Sequence, residues 1–130
     1  MDGPLVRAVI LCALFVLMSG LTDFTMQTAA TALDGLSLRA QVRADNIANS
    51  ETPGYRAKRL DFEAALREAR GDLDAVEYSE AYRNNPVDQR GNSVQLDQEV
   101  TEMVQDNLMF RAMVNGFNYK ANLLRTAMGR

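Results

Sequence analysis

The chain has 130 residues, enough for one small domain or for one or two long helices but too few for two independent cores. It contains no histidine and only one cysteine, Cys12, which excludes Ser-His-Asp and Cys-His catalytic centres, histidine-based or cysteine-only zinc sites and an intrachain disulfide. The formal charge of −3, from 14 basic and 17 acidic residues, gives no reason to expect nucleic-acid binding.

The first segment, residues 1–17, differs in composition from the rest of the chain. An unbroken apolar run, Ala8–Met18, follows Arg7. This run is shorter than the roughly 20 residues that a helix needs to span a bilayer, but its length suits the core of a signal peptide. No good cleavage site follows it. Three interpretations are open: sequence upstream of a true start at Met18, a cleaved signal, or an apolar anchor.

A helical period begins at Met26, where apolar or small residues recur in alternating steps of four and three. The positions are Met26, Ala30, Leu33, Ser37, Ala40, Ala44 and Ile47. We predict a helix from about Phe24 to Ala48, roughly 38 Å long, capped by Thr22 or Asp23. It forms the main part of an N-terminal region, 18–50.

A turn is predicted where this helix ends, near Asn49. Thr52 precedes Pro53, so its backbone is biased away from the helical conformation. Pro53 and Gly54 match the second and third positions of a common turn type. The residues that follow, 55–60, are predicted to be extended or irregular.

A short helix is predicted over Phe62–Ala69, with Asp61 as its N-cap and Gly71 just past its end. From there to Asn92 the sequence has no sustained period and carries an acidic excess equal to the net charge of the whole chain. We interpret this stretch as a mobile connector or as a loop that partners order. The middle region is therefore predicted to span 51–93.

The clearest pattern lies in the C-terminal region, 94–130, where apolar residues recur every seven positions. The set that corresponds to heptad d positions is Leu96, Met103, Phe110, Phe117 and Leu124. The set that corresponds to a positions is Val100, Asn107, Val114, Ala121 and Met128. We predict one helix over Val94–Ala127, roughly 50 Å long, that begins at Asn92, Ser93 or Asp97.

The apolar stripes of the two terminal helices are complementary in size. The first is made mostly of small residues and the second of large ones, so each can fill the space beside the other. We predict an all-α fold, with long N- and C-terminal helices that pair as a coiled-coil-like bundle, an irregular middle segment and one short helix. A two-helix core is thin, so we expect oligomerisation. The alternative is that the stripe is only the core face of a monomeric bundle.

The polar residues on the last helix are interpreted as structural or solvent-exposed rather than as a binding site. Glu99, Glu102 and Asp106 share one face, which we interpret as a solvated acidic surface because calcium ligands usually come from a loop with a glycine turn. Asn107 is interpreted as a tolerated polar residue rather than a device that sets register. We predict no catalytic, cofactor-binding or metal-binding residue, because a carboxylate enzyme would need a pocket that so thin a core does not provide.

One stretch at the end of the first helix is more specific than these patterns. Its residues are Asn46, Ile47, Ala48, Asn49, Thr52, Pro53, Gly54 and Tyr55. It resembles the A-N-N-[IL]-A-N-x-x-T-P-G-[YF] signature of the bacterial flagellar rod and hook proteins, with Asp45 where the family often has asparagine. Three further segments, 32–39, 61–66 and 91–97, are similar to the proximal rod branch of this family. Together the resemblance covers residues 18–128.

The resemblance implies a structural subunit that is not an enzyme and binds no cofactor, metal, nucleic acid or small-molecule substrate. Its implied partners are copies of itself, other rod proteins, the MS-ring and export-gate junction proteins, and the flagellar type III export apparatus. Its implied location is the basal-body rod within the periplasm, where terminal helices line the export channel. The a and d residues above would form the assembly seam, and the signature would shape the turn that leaves the inner layer.

The resemblance also bears on the start of the chain and on rival functions. Such proteins usually begin just before the first helix without a cleaved signal, which favours a start at Met18. A second proximal rod protein of the same family is the close rival. The rival from another class is a small membrane-anchored helical adaptor, which would use residues 5–18 as an anchor and the C-terminal heptads to bind a partner.

Overall fold

The computed structural model describes residues 4–69 and 71–129, so residues 1–3 of the predicted leader and residue 130 lie outside the described residues. In chain order the elements are helix α1 (Pro4–Ala48), strand β1 (Lys58–Leu60), helix α2 (Phe62–Glu68), a 3-10 turn (Leu73–Ala75), strand β2 (Glu80–Tyr82) and helix α3 (Leu96–Ala127). The predicted pair of long terminal helices with a short helix between them is confirmed. The small sheet was not predicted.

Helix α1 begins much earlier than the sequence pattern indicated. It starts at Pro4 and continues without a break to Ala48, a length of about 67 Å. The predicted start near Phe24, with Thr22 or Asp23 as cap, is therefore wrong, whereas the predicted end is confirmed. The apolar run contains no proline, its alanine, leucine and methionine residues favour helix, and the glycine that follows, Gly20, costs only about 1 kcal/mol. Among the described residues, no helix has a stretch long and apolar enough to cross a membrane.

Helix α2 forms as predicted, and its first residue enters the core. The carboxylate of Asp61 accepts a hydrogen bond from the backbone N–H of Ala64 at 3.0 Å, which is the expected N-cap contact. Phe62 then packs over α1 at Gly35, where a Cβ atom would lie 2.7 Å from the Phe62 Cβ. The glycine therefore lets the aromatic ring approach the helix backbone.

The hydrophobic core is small and lies where α1, β1 and α2 meet. Its buried members are Ala32, Leu36, Val42, Leu60 and Phe62, with Leu66, Tyr78 and Met113 packed against them. Many described apolar residues of the two long helices are exposed and take no part in this core, among them Leu38, Val104 and Leu108. A core of this size is consistent with a chain that gains further burial from partners.

The acidic stretch after α2 is ordered by its own chain. Strands β1 and β2 pair antiparallel, with Lys58 opposite Tyr82 and Leu60 opposite Glu80. The hydroxyl of Tyr78 donates to the carbonyl of Thr31 at 2.6 Å. Three-residue strands are too short to show a period in the sequence, which is why this pairing was not predicted.

Helix α3 begins at Leu96 rather than Val94. Its N-cap residue is Gln95, which makes no side-chain capping bond, so the prediction that Asn92, Ser93 or Asp97 begins the helix is wrong. The helix runs opposite to α1: Asn46 contacts Glu99, and Arg39, one heptad earlier in α1, contacts Asp106, one heptad later in α3. The two long helices are therefore an antiparallel pair.

Candidate assembly interface

The signature segment forms the turn that reverses the chain after α1. The backbone N–H of Thr52 donates to the carbonyl of Asn49 at 3.0 Å, and the side-chain amide of Asn49 donates to the carbonyl of Asp45 at 2.8 Å. Gly54 has a φ of +73°, a conformation that glycine adopts without steric cost. The predicted turn at Pro53–Gly54 is thus present, with both residues exposed.

Asn92 ties this turn to the start of α3. It is buried, and its side-chain amide donates to the carbonyls of Asn49 at 2.9 Å and Thr52 at 2.7 Å. Its side-chain oxygen accepts from the backbone N–H of Val94 at 2.7 Å. A second link runs from the N–H of Gly54 to the carbonyl of Arg90 at 2.9 Å. Asn92 was predicted only as a possible helix start, so this role was missed.

Asn46 is the buried centre of the signature, with no solvent-exposed surface. Its side-chain amide donates to the carbonyl of Lys58 at 2.8 Å and to Glu99 Oε1 at 3.0 Å. Its side-chain oxygen accepts from the N–H of Lys58 at 3.0 Å and from the hydroxyl of Tyr55 at 3.3 Å. One side chain therefore joins α1, β1 and α3.

The remaining signature residues are less buried. Tyr55, Ile47 and Asn49 are half-buried, whereas Ala48 and Thr52 are exposed. The structure therefore divides the signature into a hydrogen-bonded interior and an exposed outer side. Burial raises the pKa of the Tyr55 hydroxyl, so this group stays a neutral donor to Asn46.

A network of charged side chains lies between α1 and α3, and we name it the charged centre. Its members are Arg39 and Arg43 of α1, Arg83 after β2, and Glu99, Glu102 and Asp106 of α3. Three cations thus face three carboxylates of α3, and Arg39 also pairs with Glu63 of α2. Buried charges are tolerated only when paired in this way.

The contacts within the charged centre are direct. Arg43 Nε lies 2.6 Å from Asp106 Oδ2, and its Nη1 lies 3.4 Å from Glu99 Oε2. Arg39 Nε donates to Asp106 Oδ2 at 3.1 Å, and Arg83 Nη1 donates to Glu102 Oε1 at 3.2 Å. Arg39 also lies over the ring of Phe62, with 4.6 Å between the guanidinium carbon and the ring centroid.

The electrostatics of the centre favour the ionised forms. Hydrogen bonds from Arg83, and to a smaller extent from Arg43, lower the pKa of Glu102 from 4.5 to about 2. Burial of Glu102 acts in the opposite direction but is outweighed. Burial disfavours the charge on Arg43, but its hydrogen bonds with Asp106 and Glu102 outweigh that effect and raise its pKa. The pair of Arg43 and Glu102 therefore stays ionised near neutral pH.

The prediction of a solvated acidic face on α3 is wrong. Glu99 is fully buried, Asp106 is buried and Glu102 is half-buried. The arginines take up these carboxylates, and within residues 4–69 and 71–129 no acidic or cysteine cluster is arranged to hold a metal ion. The spacing of Arg39 and Arg43 by four residues on α1 was a signal that could have indicated a matching acidic face.

The predicted seam is placed unevenly around α3. Four seam residues are half-buried: Met103, Val114, Phe117 and Ala121. The other six are exposed: Leu96, Val100, Asn107, Phe110, Leu124 and Met128. In the first half of the helix, the side that faces α1 carries the charged centre rather than the apolar a and d residues. The apolar stripe is rotated away from α1 there, which leaves it open.

A groove of about 320 Å³ runs beside the charged centre. It is lined by Leu36, Ser37, Ala40, Met103, Asp106, Asn107 and Phe110. Small residues of α1 do face large residues of α3 here, as the seam pattern predicts, but the large side chains do not fill the space. The groove is a gap in the packing of the pair.

The outer side of α3 also carries exposed apolar side chains, which alternate with polar residues such as Asn115 and Asn122. Val104, Leu108, Tyr119 and Leu123 are each more than half exposed. On a helix these positions lie along the side opposite the one that contacts α1. Exposed apolar residues on a second side of the helix leave surface for contacts with further helices.

Known proteins similar to this chain agree on one family. A family model described as Flagella basal body rod protein matches residues 26–56, which cover the second half of α1 and the signature turn. The Flagellar basal body rod protein FlgB of Bacillus subtilis (strain 168) is 31% identical over 119 residues, which cover 80% of this chain and 92% of that protein.

Two further relatives carry the same name. FlgB of Borreliella burgdorferi is 31% identical over 107 residues, covering 64% of this chain and 79% of that protein. FlgB of Aeromonas hydrophila is 32% identical over 114 residues, covering 75% of this chain and 86% of that protein. The similarity therefore extends well beyond the signature, over both long helices and the middle region.

Proposed function

This chain belongs to the FlgB family of flagellar basal body rod proteins, and we propose that it assembles with copies of itself and with other rod proteins into the drive shaft that crosses the periplasm. In this proposal the rod transmits torque and encloses the export channel. The chain reaches its site through the flagellar type III export apparatus, and the lower end of the rod meets the MS-ring and export-gate junction proteins.

The observation that best supports this proposal is the open apolar surface of α3. Exposed a and d residues lie on one side of the charged centre, and the outer stripe that contains Leu108 and Tyr119 lies on another. Soluble monomers rarely leave so much apolar helix surface open, and repeated subunit contacts would cover it. Coiled-coil-like packing of terminal helices in the assembled rod would use the seam predicted from the sequence.

The charged centre supports the mechanical part of the proposal. It links α1, α3 and the segment after β2 through ion pairs, while Asn46 and Asn92 link the turn to the same elements. A subunit that transmits torque must not shear between its own helices. Paired buried charges resist such sliding because any displacement would leave a charge without a partner.

The test of this proposal is Phe110→Asp. Phe110 lies at the edge of the groove and is 40% exposed, so the change should leave expression and folding intact. A carboxylate placed in an apolar subunit contact would be desolvated without a partner, so rod assembly should fail. We expect loss of basal bodies in electron micrographs and loss of swimming in a strain that carries only this variant.

The matched control is Gln41→Asp, an exposed polar position on α1 outside the predicted stripe of that helix. This change adds the same charge outside the apolar seam and should leave swimming normal. Normal swimming by the Phe110→Asp strain would contradict the seam assignment. Failure of the unaltered gene to restore swimming to a deletion strain would contradict the rod function itself.

A further inference from the structure

Charge is distributed asymmetrically along α3. After Asp106 the chain carries no acidic residue, and its basic residues in the described part are Arg111, Lys120 and Arg125. Arg111 and Arg125 are exposed and Lys120 is half-buried. Within residues 4–69 and 71–129 none of the three forms an ion pair.

These basic residues flank the apolar outer stripe of α3. The helical period places Arg111 and Arg125 along one edge of the stripe formed by Leu108, Tyr119 and Leu123, and Lys120 along the other. We name this surface, apolar in the middle and basic at both edges, the basic face. Its composition fits an occupant that is acidic and partly apolar.

The middle region offers such a surface. Residues 61–80 contain seven acidic and two basic residues. Three of these carboxylates have partners: Asp61 caps α2, Glu63 pairs with Arg39, and Glu80 pairs with Lys58. The other four are exposed and form no ion pair with any other described residue; they are Glu68, Asp72, Asp74 and Glu77. Half-buried Leu73 and Val76 lie between them. We name Glu68 together with residues 71–77 the acidic segment.

The two surfaces lie at the same height along α1. The acidic segment lies beside Phe24 of α1: a Cβ atom added to Gly71 would be 3.6 Å from the Phe24 ring. Just after this segment, the hydroxyl of Tyr78 donates to the carbonyl of Thr31. On α3, Met113 packs against the core cluster that includes Ala32. Two copies placed side by side can therefore bring one surface against the other without a large axial shift.

We propose that the basic face of α3 in one copy docks on the acidic segment of a second copy of this chain. This inference rests on the proposed rod function and specifies which surfaces of neighbouring subunits meet. The contact joins two different surfaces, so it is heterologous, and heterologous contacts that do not close into a ring propagate as a helix. The opposite charges would also orient the subunits as they meet.

The test is a charge exchange in a deletion strain. One strain carries Arg111→Glu with Arg125→Glu, and a second strain carries Asp74→Arg with Glu77→Arg. Each strain should lose swimming, because like charges then face each other across the contact. The chain that carries all four substitutions keeps the original net charge and should swim again. The matched control, Arg56→Glu with Arg59→Glu, changes two exposed arginines at the opposite end of the helix pair and should swim normally.

A second measurement, disulfide cross-linking, tests the contact directly in case the charge-reversed variants fail to fold or to be exported. Two differently tagged chains are co-expressed in a Cys12→Ser background, one with Arg125→Cys and the other with Asp74→Cys. Oxidation of isolated basal bodies should yield a disulfide-linked dimer that contains both tags, while Arg56→Cys in place of Arg125→Cys should not. Circular dichroism of each purified chain establishes that it is helical.

The results that would overturn the inference differ from those that would overturn the rod function. Normal swimming of either charge-reversed strain, a well-folded fourfold variant that does not swim, or no mixed dimer in assembled basal bodies would overturn the docking contact. If the unaltered chain does not restore swimming to the deletion strain, the proposed function itself fails.

Discussion

Single buried amides carry much of the connection between the elements of this protein. The side-chain amides of Asn46 and Asn92 together accept from or donate to five backbone groups and two side chains. Asparagine suits these positions because it offers both donors and acceptors without charge. The same bonds explain physically why a signature that surrounds a turn includes a residue from the last turn of α1.

Replacing Asn46 with alanine should destabilise the fold by about 2–3 kcal/mol, because the N–H and carbonyl of Lys58 and the carboxylate of Glu99 would lose a buried partner. Urea unfolding followed by circular dichroism measures this loss. The control is Asn107→Ala on the exposed side of α3, which should change the free energy of unfolding by less than about 0.5 kcal/mol. Equal effects of the two changes would contradict the role of Asn46.

Glu102 makes stability depend on pH in the acid range. Its pKa is lowered from 4.5 to about 2 in the folded protein, so the ionised form favours folding. This contribution is complete above about pH 5 and is lost as the pH falls towards 2, to a total of about 3 kcal/mol at most. We expect Glu102→Gln to be less stable at neutral pH and to lose less stability on acidification.

The measurement is the unfolding free energy at several pH values between about 6 and 2.5. Glu68→Gln, at an exposed position outside the charged centre, should retain the full acid dependence of the unaltered protein. If Glu102→Gln shows the same acid dependence as the unaltered chain, the ion pairs of Glu102 do not contribute as described.

At the scale of elements, the two long helices are held together by charge and shape as much as by apolar contact. The heptad pattern of α3 is present, but the charged centre occupies the side towards α1 in the first half of the helix. Shape matters at Gly35, where helix α2 presses Phe62 against the backbone of α1. The position of α2 therefore depends on a residue without a side chain.

Two glycines in helix interiors allow a matched prediction. Gly35→Ala places a Cβ 2.7 Å from Phe62 and should destabilise the protein by about 1–3 kcal/mol in spite of the better helix propensity of alanine. Gly116→Ala meets nothing within 4 Å and should stabilise it by about 0.5–1 kcal/mol. The urea midpoints of the two variants should move in opposite directions. Movement of both in the same direction would contradict the packing of α2 on α1.

At the scale of the whole molecule, the structure is an antiparallel helix pair with a small core near the middle of the pair and exposed apolar residues elsewhere along it. The contacts of Asn46 with Glu99 and of Arg39 with Asp106 share one register. Extended along both helices, this register brings the end of α3 at Ala127 opposite about residue 18 of α1. The earlier part of α1 therefore projects beyond α3.

A chain shortened to begin at Met18 should keep the stability of the helix pair. Val9, Ile10, Leu11 and Leu14 are each more than half exposed, so their removal deletes few contacts. We expect the free energy of unfolding to change by less than about 0.5 kcal/mol, measured in parallel with the full chain. A loss above about 2 kcal/mol would show that the first 17 residues support the fold.

Local sequence determined the parts of this protein that depend on near neighbours in the chain. The end of α1, the Pro53–Gly54 turn and the Asp61 cap were predictable because propensity, turn chemistry and capping act over a few residues. The start of α1 was missed because a change of composition was interpreted as a change of structure. The signature also identified the family, since its residues lie within one short stretch.

Tertiary structure alone decided which side of each helix is buried. Arg43 and Glu99 are 56 residues apart in the chain, and Asn92 meets Asn49 across 43 residues. The heptad period specifies that α3 has an apolar stripe, but the rotation of that stripe relative to α1 depends on how the charged side chains pair in three dimensions. Paired buried charges tolerate little displacement, so they set the rotation, and the apolar stripe is left open for a neighbouring subunit.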